Sequence, residues 1–153
     1  RNKNSHVAPG KLDNIVAGGQ PSGISIIDNL IKECDEEASI PERLARQAIS
    51  VGAVSYCFGG DDGLQADTLF CFDLEVPDDF EPVNQDGEVT AFKLMPLREA
   101  LALIEQGESF KFNVSLVILD FAIRRGALTP DTDSDFEAIL AGLHAPFPSL
   151  KAQ

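Results

Sequence analysis

Glu33, Glu36 and Glu37 stand at i, i+3 and i+4 of a stretch in which Ile27, Leu30, Ile31, Cys34 and Ala38 recur at three- and four-residue intervals. That period makes the stretch an amphipathic helix, so the three carboxylates project from one face, offset in angle from the apolar stripe. Like charges at this spacing repel one another unless something cationic relieves them. Ligands that are all carboxylate oxygen suit Mg2+, with Mn2+ as the alternative, hard cations that keep waters and bridge to phosphate groups. An isolated Glu-x-x-Glu-Glu is more often a solvated acidic face. This one is preceded by a glycine pair, Gly18-Gly19, which gives the cluster a tight turn to work against.

The elements that must position these residues follow from local signals. Residues 1–20 read as loop, a short strand over 11–17 and the glycine turn. The glutamate helix is expected over 25–38, with Ser25 as N-cap and Asp28 in the first turn beside the positive helix end. Pro41 and Glu42 open a second short helix over 41–48. Aromatic and β-branched runs at 53–58 and 68–76 flank Gly59-Gly60-Asp61-Asp62-Gly63 and predict a hairpin. An acidic, proline-punctuated loop over 77–87 leads to an expected strand over 88–94. Helices follow over 96–106, 113–125 and 133–143, the first two ended by Gly107 and Gly126. The fold class is α+β, helices packed on a sheet.

Composition narrows the function classes. At 153 residues with 44% hydrophobic content, the chain has enough apolar material for one globular unit and too much to be disordered. No apolar run approaches the roughly 20 residues that span a bilayer, so no membrane partner is expected. A net charge of -13 repels nucleic acid phosphates, which removes that partner class too. Cys34, Cys57 and Cys71 are odd in number and form no Cys-x-x-Cys pair, which predicts reduced, packed thiols and a cytoplasmic location. His6 and His144 have no ligand-spaced partner and receive no catalytic role.

The spacing around the glutamates resembles the Nudix box: Gly, five residues, Glu, seven residues, then Arg-Glu-hydrophobic-x-Glu-Glu-x-Gly-hydrophobic. From Gly18, five residues lead to Ile24 and seven more to Lys32, and Glu33-Cys34-Asp35-Glu36-Glu37-Ala38-Ser39-Ile40 follows in register. Three fixed positions depart from the pattern, with Ile24 for glutamate, Lys32 for arginine and Ser39 for the late glycine. In the family that glutamate and arginine commonly bridge to each other, so their joint loss removes one structural contact. The downstream Gly87-Glu88-Val89 and 92–101 resemble the strand-then-helix segment that follows the box in many members.

The resemblance implies the Nudix fold, a mixed sheet packed between helices. It makes residues 1–153 a Nudix domain, read as the C-terminal part of a longer protein because the residues before Gly18 leave little room for the fold's first strand. It implies Glu33, Glu36 and Glu37 as metal ligands for Mg2+ or Mn2+, and Glu36, Glu37 and Glu88 as the carboxylates that assist catalysis. Lys11, Gly18 and Gly19 are the substrate-binding candidates. Arg1 and Lys3 could reach substrate phosphates as Lys11 could, and Asp61, Asp62, Asp67 and Asp86 are weaker candidates than Glu88 for the assisting carboxylate.

The implied reaction is Mg2+-dependent hydrolysis of a diphosphate linkage in a small organic substrate. The runs Pro9-Gly10-Lys11-Leu12-Asp13-Asn14, Ala17-Gly18-Gly19-Gln20-Pro21-Ser22-Gly23 and 32–41 resemble the branch labelled thiamine pyrophosphokinase-related, which implies thiamine diphosphate or a damaged analogue. Two alternatives stay open: a Nudix-fold domain that binds such a ligand without cleaving it, and an acidic module that binds divalent ions, Ca2+ as well as Mg2+. A homodimer also stays open, since many Nudix proteins are dimers.

Overall fold

A computed structural model of the chain describes residues 8–60, 63–85, 87 and 89–147, leaving aside the side chain of residue 60. The glutamate helix, α1, spans Ile26–Ala38 and starts as expected: Ser25 Oγ accepts from the Asp28 N–H at 3.1 Å and donates to Asp28 Oδ2 at 2.6 Å. Its apolar stripe packs against a single short turn of helix, α2 (Glu42–Ala45). Cys34, Ala38, Ile40, Leu44 and Ala45 form a buried cluster there, closed by Val16, Leu74, Phe80 and Phe92 from distant parts of the chain. The helix expected over 41–48 is cut to this turn because Ile49 already begins a strand.

That strand, β1 (Ile49–Gly60), pairs antiparallel with β2 (Gly63–Asp73) in register Val54↔Leu69 and Tyr56↔Asp67. The hairpin is longer than the aromatic runs suggested, because cross-strand pairing carries through Gln65 and Ala66 to the glycine turn. A register irregularity between Ser50 and Gly52 is made by Gly52 at φ 118°, a conformation that glycine adopts without strain.

The remaining helices are α3 (Leu97–Gln106), α4 (Phe112–Arg124) and α5 (Phe136–Leu143). The last two pack on β1, burying Val54, Cys71 and Leu143 among Leu69, Leu116 and Ile139. A third cluster, Ala100, Phe110 and Val114 with Leu12 and Ile118, joins α3 to α4. Arg124 fastens the hairpin to α4: its Nη1 and Nη2 lie 2.7 and 3.0 Å from the two Asp73 oxygens, and its Nε lies 2.7 Å from buried Asp120. This two-pronged geometry holds the Asp73 carboxyl below its ordinary pKa, mainly through the Arg124 hydrogen bonds.

The α+β class is borne out, with a two-stranded antiparallel sheet among the described residues. Two expected strands are not formed. The one over 11–17 shrinks to a single parallel bridge, Leu12 to Phe110. Residues 89–94 of the other run as coil: Asn84 Nδ2 donates to the Val89 carbonyl at 2.7 Å, Phe92 packs against the first core cluster, and Leu94 is fully exposed. The expected strand is instead part of a loop whose backbone is tied by a side chain of its own, Asn84. The helix expected from 133 begins at Phe136, because Thr129, Thr132 and Asp133 bond one another in a turn. No helix among the described residues is long and apolar enough to cross a membrane.

Candidate metal and diphosphate site

The glycine turn lies directly against the glutamate face of α1. A Cβ added at Gly18 would fall 2.2 Å from Glu33 Cδ and 2.6 Å from its Oε1, so the Glu33 side chain occupies the space that any larger residue would fill. Glu33 is accordingly well covered, with 16% of its side chain exposed. Ala17 N–H donates to Glu37 Oε2 at 2.7 Å, and Asn29 Nδ2 donates to the Gly19 carbonyl at 3.1 Å. Gln20 Nε2 donates to the Ile24 carbonyl at 2.8 Å and folds the turn back on itself. Three side chains of α1 therefore grip three consecutive residues, Ala17, Gly18 and Gly19.

Lys32 closes the other side. Its Nζ lies 3.1 Å from Glu33 Oε1 and 2.6 Å from Glu36 Oε2, so two of the three carboxylates converge on one cationic point. The hydrogen bond to Glu36, then that to Glu33, holds the Lys32 ammonium above its ordinary pKa. Cys34 lies beneath this face; burial, and secondarily the charge of Glu37, pushes its thiol up to about 11. Among the described residues no three acidic, histidine or cysteine side chains stand close enough together to hold a metal ion in this arrangement. Lys32 engages Glu33 and Glu36, while Glu37 is turned to the Ala17 amide. The pair Glu33 and Glu36 fits a cation, since it already surrounds one.

The C-terminal end of α1 is met by the loop after β2. Ser39 takes the left-handed cap position, φ 54° and ψ 33°, where a residue without a Cβ is least strained. Its Oγ donates to the Val83 carbonyl at 2.9 Å and accepts from Gln85 Nε2 at 3.0 Å. Gln85 also reaches the Asp35 carbonyl at 2.8 Å, and its own N–H donates to the Glu36 carbonyl at 3.3 Å. Residues 83–85 are thus laced to the helix end that carries Glu36.

Of the residues selected from sequence, Glu33, Glu36, Glu37, Gly18 and Gly19 come together here. Lys11 stands elsewhere, next to the Leu12 bridge that pairs with Phe110. Asp67 bonds the Tyr56 hydroxyl across the hairpin. Glu88, Asp86, Asp61, Asp62, Arg1, Lys3 and His6 lie outside the described residues. Asn29 and Gln85 were missed. Asn29 was legible as the one polar residue a helical turn ahead of Glu33 on its face, whereas Gln85 reaches α1 across a separation of 50 residues. A cavity of about 330 Å3 beside Tyr56, Leu116 and Phe147 is lined by no residue of α1 or of the glycine turn.

No family model matches the chain. Individual proteins do. It is 52% identical over 124 residues to Nudix hydrolase 20, chloroplastic, of Arabidopsis thaliana, covering 81% of the chain and 33% of that relative. Nudix hydrolase 24, chloroplastic, of the same plant is 50% identical over 124 residues, with 81% and 34% covered. The chain is homologous to Nudix hydrolases. An uncharacterized protein of Saccharomyces cerevisiae is 34% identical over 98% of the chain and 48% of its own length. The chain thus spans about a third to a half of the length of these relatives.

Within that Nudix homology the three departures from the box have physical readings. At the Ile24 position the side chain contributes no charge, and the turn is held instead through the Ile24 carbonyl by Gln20. Lys32 pairs with the cluster glutamates themselves. Ser39 accepts the left-handed cap and offsets its strain with two hydrogen bonds that a glycine could not make.

Proposed function

We propose that this protein is a Nudix-type pyrophosphohydrolase, dependent on Mg2+, that cleaves a diphosphate linkage in a small organic substrate. One observation carries the proposal: Glu33 and Glu36 converge on a single cationic point against a glycine turn shaped around Glu33, in a chain half identical to two proteins named Nudix hydrolases. Glu33 and Glu36 would hold the ion in place of the Lys32 ammonium, and Glu37 would complete the set on leaving the Ala17 amide. When bound, such an ion neutralises diphosphate charge and lowers the pKa of water.

The chain's own groups do the rest. The partly buried, turn-locked Glu33 fixes the position of the charge, while Glu36, half exposed, is free to move once Lys32 releases it. Glu36, Glu37 or Glu88 takes the proton from a water that attacks phosphorus in line as the bridging P–O bond breaks. The products are two phosphate-bearing fragments, or a monophosphate ester and phosphate. Gly18 and Gly19 let the backbone approach the diphosphate, whereas Lys11, standing beside the Leu12 bridge to Phe110, takes no part in this site. The substrate class is nucleoside- or thiamine-diphosphate-like, the latter supported by the resemblance of 9–14, 17–23 and 32–41 to the thiamine-related branch. The three free thiols support a cytoplasmic location, and the acidic charge supports the absence of a nucleic acid partner. A homodimer is an accompanying proposal, read out by light scattering.

A second reading, binding without cleavage, is favoured by Lys32, which already neutralises two of the carboxylates. Phosphate or monophosphate release from thiamine diphosphate, oxidised thiamine diphosphate, ADP-ribose and a dinucleoside polyphosphate, with Mg2+ and with EDTA, separates the two. Mg2+-dependent release from one substrate supports the hydrolase. Binding with no release from any of them, in the folded full-length protein, sinks it in favour of the second reading.

A further inference from the structure

Asn29 is 6% exposed, in the first turn of a helix whose other buried residues are Cys34 and Ala38. Its amide is half used. Nδ2 donates to the Gly19 carbonyl, while Oδ1 is buried with no hydrogen-bond partner among the described residues. The bond from Nδ2 fixes which end of the amide faces the turn, because the reversed amide would set Oδ1 against the Gly19 oxygen. A buried acceptor without a partner is a cost that an apolar residue of the same size would avoid, so its presence calls for a ligand or a water at that atom.

The position of Asn29 says which ligand. It lies one helical turn before Glu33, and helical side chains lean toward the N-terminus, so the two share a face, with Glu33 leaning toward Asn29. Glu33 packs on Gly18 and Asn29 bonds Gly19, so both side chains close one seam between α1 and the glycine turn. Building on the cation site proposed above, we propose that Asn29 is a positioning residue for it. Nδ2 pins the turn so that Gly18 stays against Glu33, and Oδ1 is the acceptor that a hydrated divalent cation satisfies. Hard cations keep part of their water shell, and a neutral amide oxygen accepts from it without adding to the charge repulsion among the glutamates.

The test is Mg2+ binding by calorimetry, with the metal alone, on the full-length protein and its Asn29→Leu, Asn29→Asp and Glu33→Gln variants, with melting temperatures taken alongside. Asn29→Leu keeps the volume and removes both amide functions. It is expected to weaken Mg2+ at least fivefold while its metal-free melting temperature is unchanged or higher. Asn29→Asp keeps an acceptor and should retain more Mg2+ affinity than Asn29→Leu. If Glu33→Gln weakens Mg2+ and Asn29→Leu does not, Asn29 is only structural and this proposal is overturned while the cation site stands. If the native protein binds no Mg2+, the cation site itself is overturned, and this proposal with it.

Discussion

Gly18→Ala isolates the contact on which the site's geometry rests. The added Cβ would stand 2.2 Å from Glu33 Cδ, whereas ordinary contact begins at 3.4 Å, so the carboxylate must retreat by about 1.2 Å. The opposing atoms belong to the end of a flexible side chain and Gly18 has no positive φ, so the backbone can remain as it is. Moving Glu33 off its preferred rotamer costs stability only about 0.5–1.5 kcal/mol. Function is far more sensitive: a displacement of about 1 Å in a group that positions the reacting centre costs on the order of 100-fold, equivalent to about 2.7 kcal/mol of barrier. The assay pairs a thermal melt with kcat/KM under saturating Mg2+. The expected result is a melting temperature within a few degrees of native and a rate reduced about 100-fold. A variant that keeps native activity would refute the claim that Glu33 must lie against the turn, and one that does not fold would show the glycine to be structural.

Three further outcomes follow from the packing. Ser39→Ala removes the bonds to Val83 and Gln85 but keeps the left-handed backbone, and should lose about 1–2 kcal/mol in denaturant melts; Ser39→Gly, which relieves the strain, should fall between it and native. Asp73→Asn breaks the pairing with Arg124 and should cost about 2 kcal/mol near pH 7. Because Arg124 depresses the Asp73 pKa, that contribution is present above the ordinary carboxylate value of about 4 and is lost as pH falls through the depressed one. The native and variant stabilities should therefore converge in acid, which urea titrations at stepped pH would measure. Cys34, with its thiol pushed up to about 11, should resist iodoacetamide at pH 8 in the folded protein and react on unfolding, as followed by mass spectrometry; rapid native labelling would contradict the packing of α1 on α2.

Much of the site was legible because it is local. The Glu33, Glu36 and Glu37 spacing, the Ser25 cap and the glycine pair sit within a couple of dozen residues, and helical periodicity alone puts the carboxylates on one face. What sequence did not reveal is long-range or a matter of competing partners. Nothing about Gln85 announces that it reaches the Asp35 and Glu36 backbone, and Lys32 read only as a replaced arginine until its ammonium was found between Glu33 and Glu36. The expected strand over 88–94 misled for a related reason: Val89 and Phe92 have the apolar character of strand residues, but one is tied by Asn84 and the other serves the α1 cluster. The hairpin was placed correctly and cut short, since Gln65 and Ala66 carry little strand propensity and are extended by the ladder they join.

The most direct test of the central claim is Mg2+-dependent turnover by the full-length protein beside its Glu36→Gln and Glu37→Gln variants, each confirmed as folded by its melting curve. Removing either carboxylate should cut Mg2+-dependent product release by at least 100-fold and shift the Mg2+ requirement upward. Turnover that stays at the native level in both variants would contradict the assignment of the α1 glutamates as the centre of the chemistry.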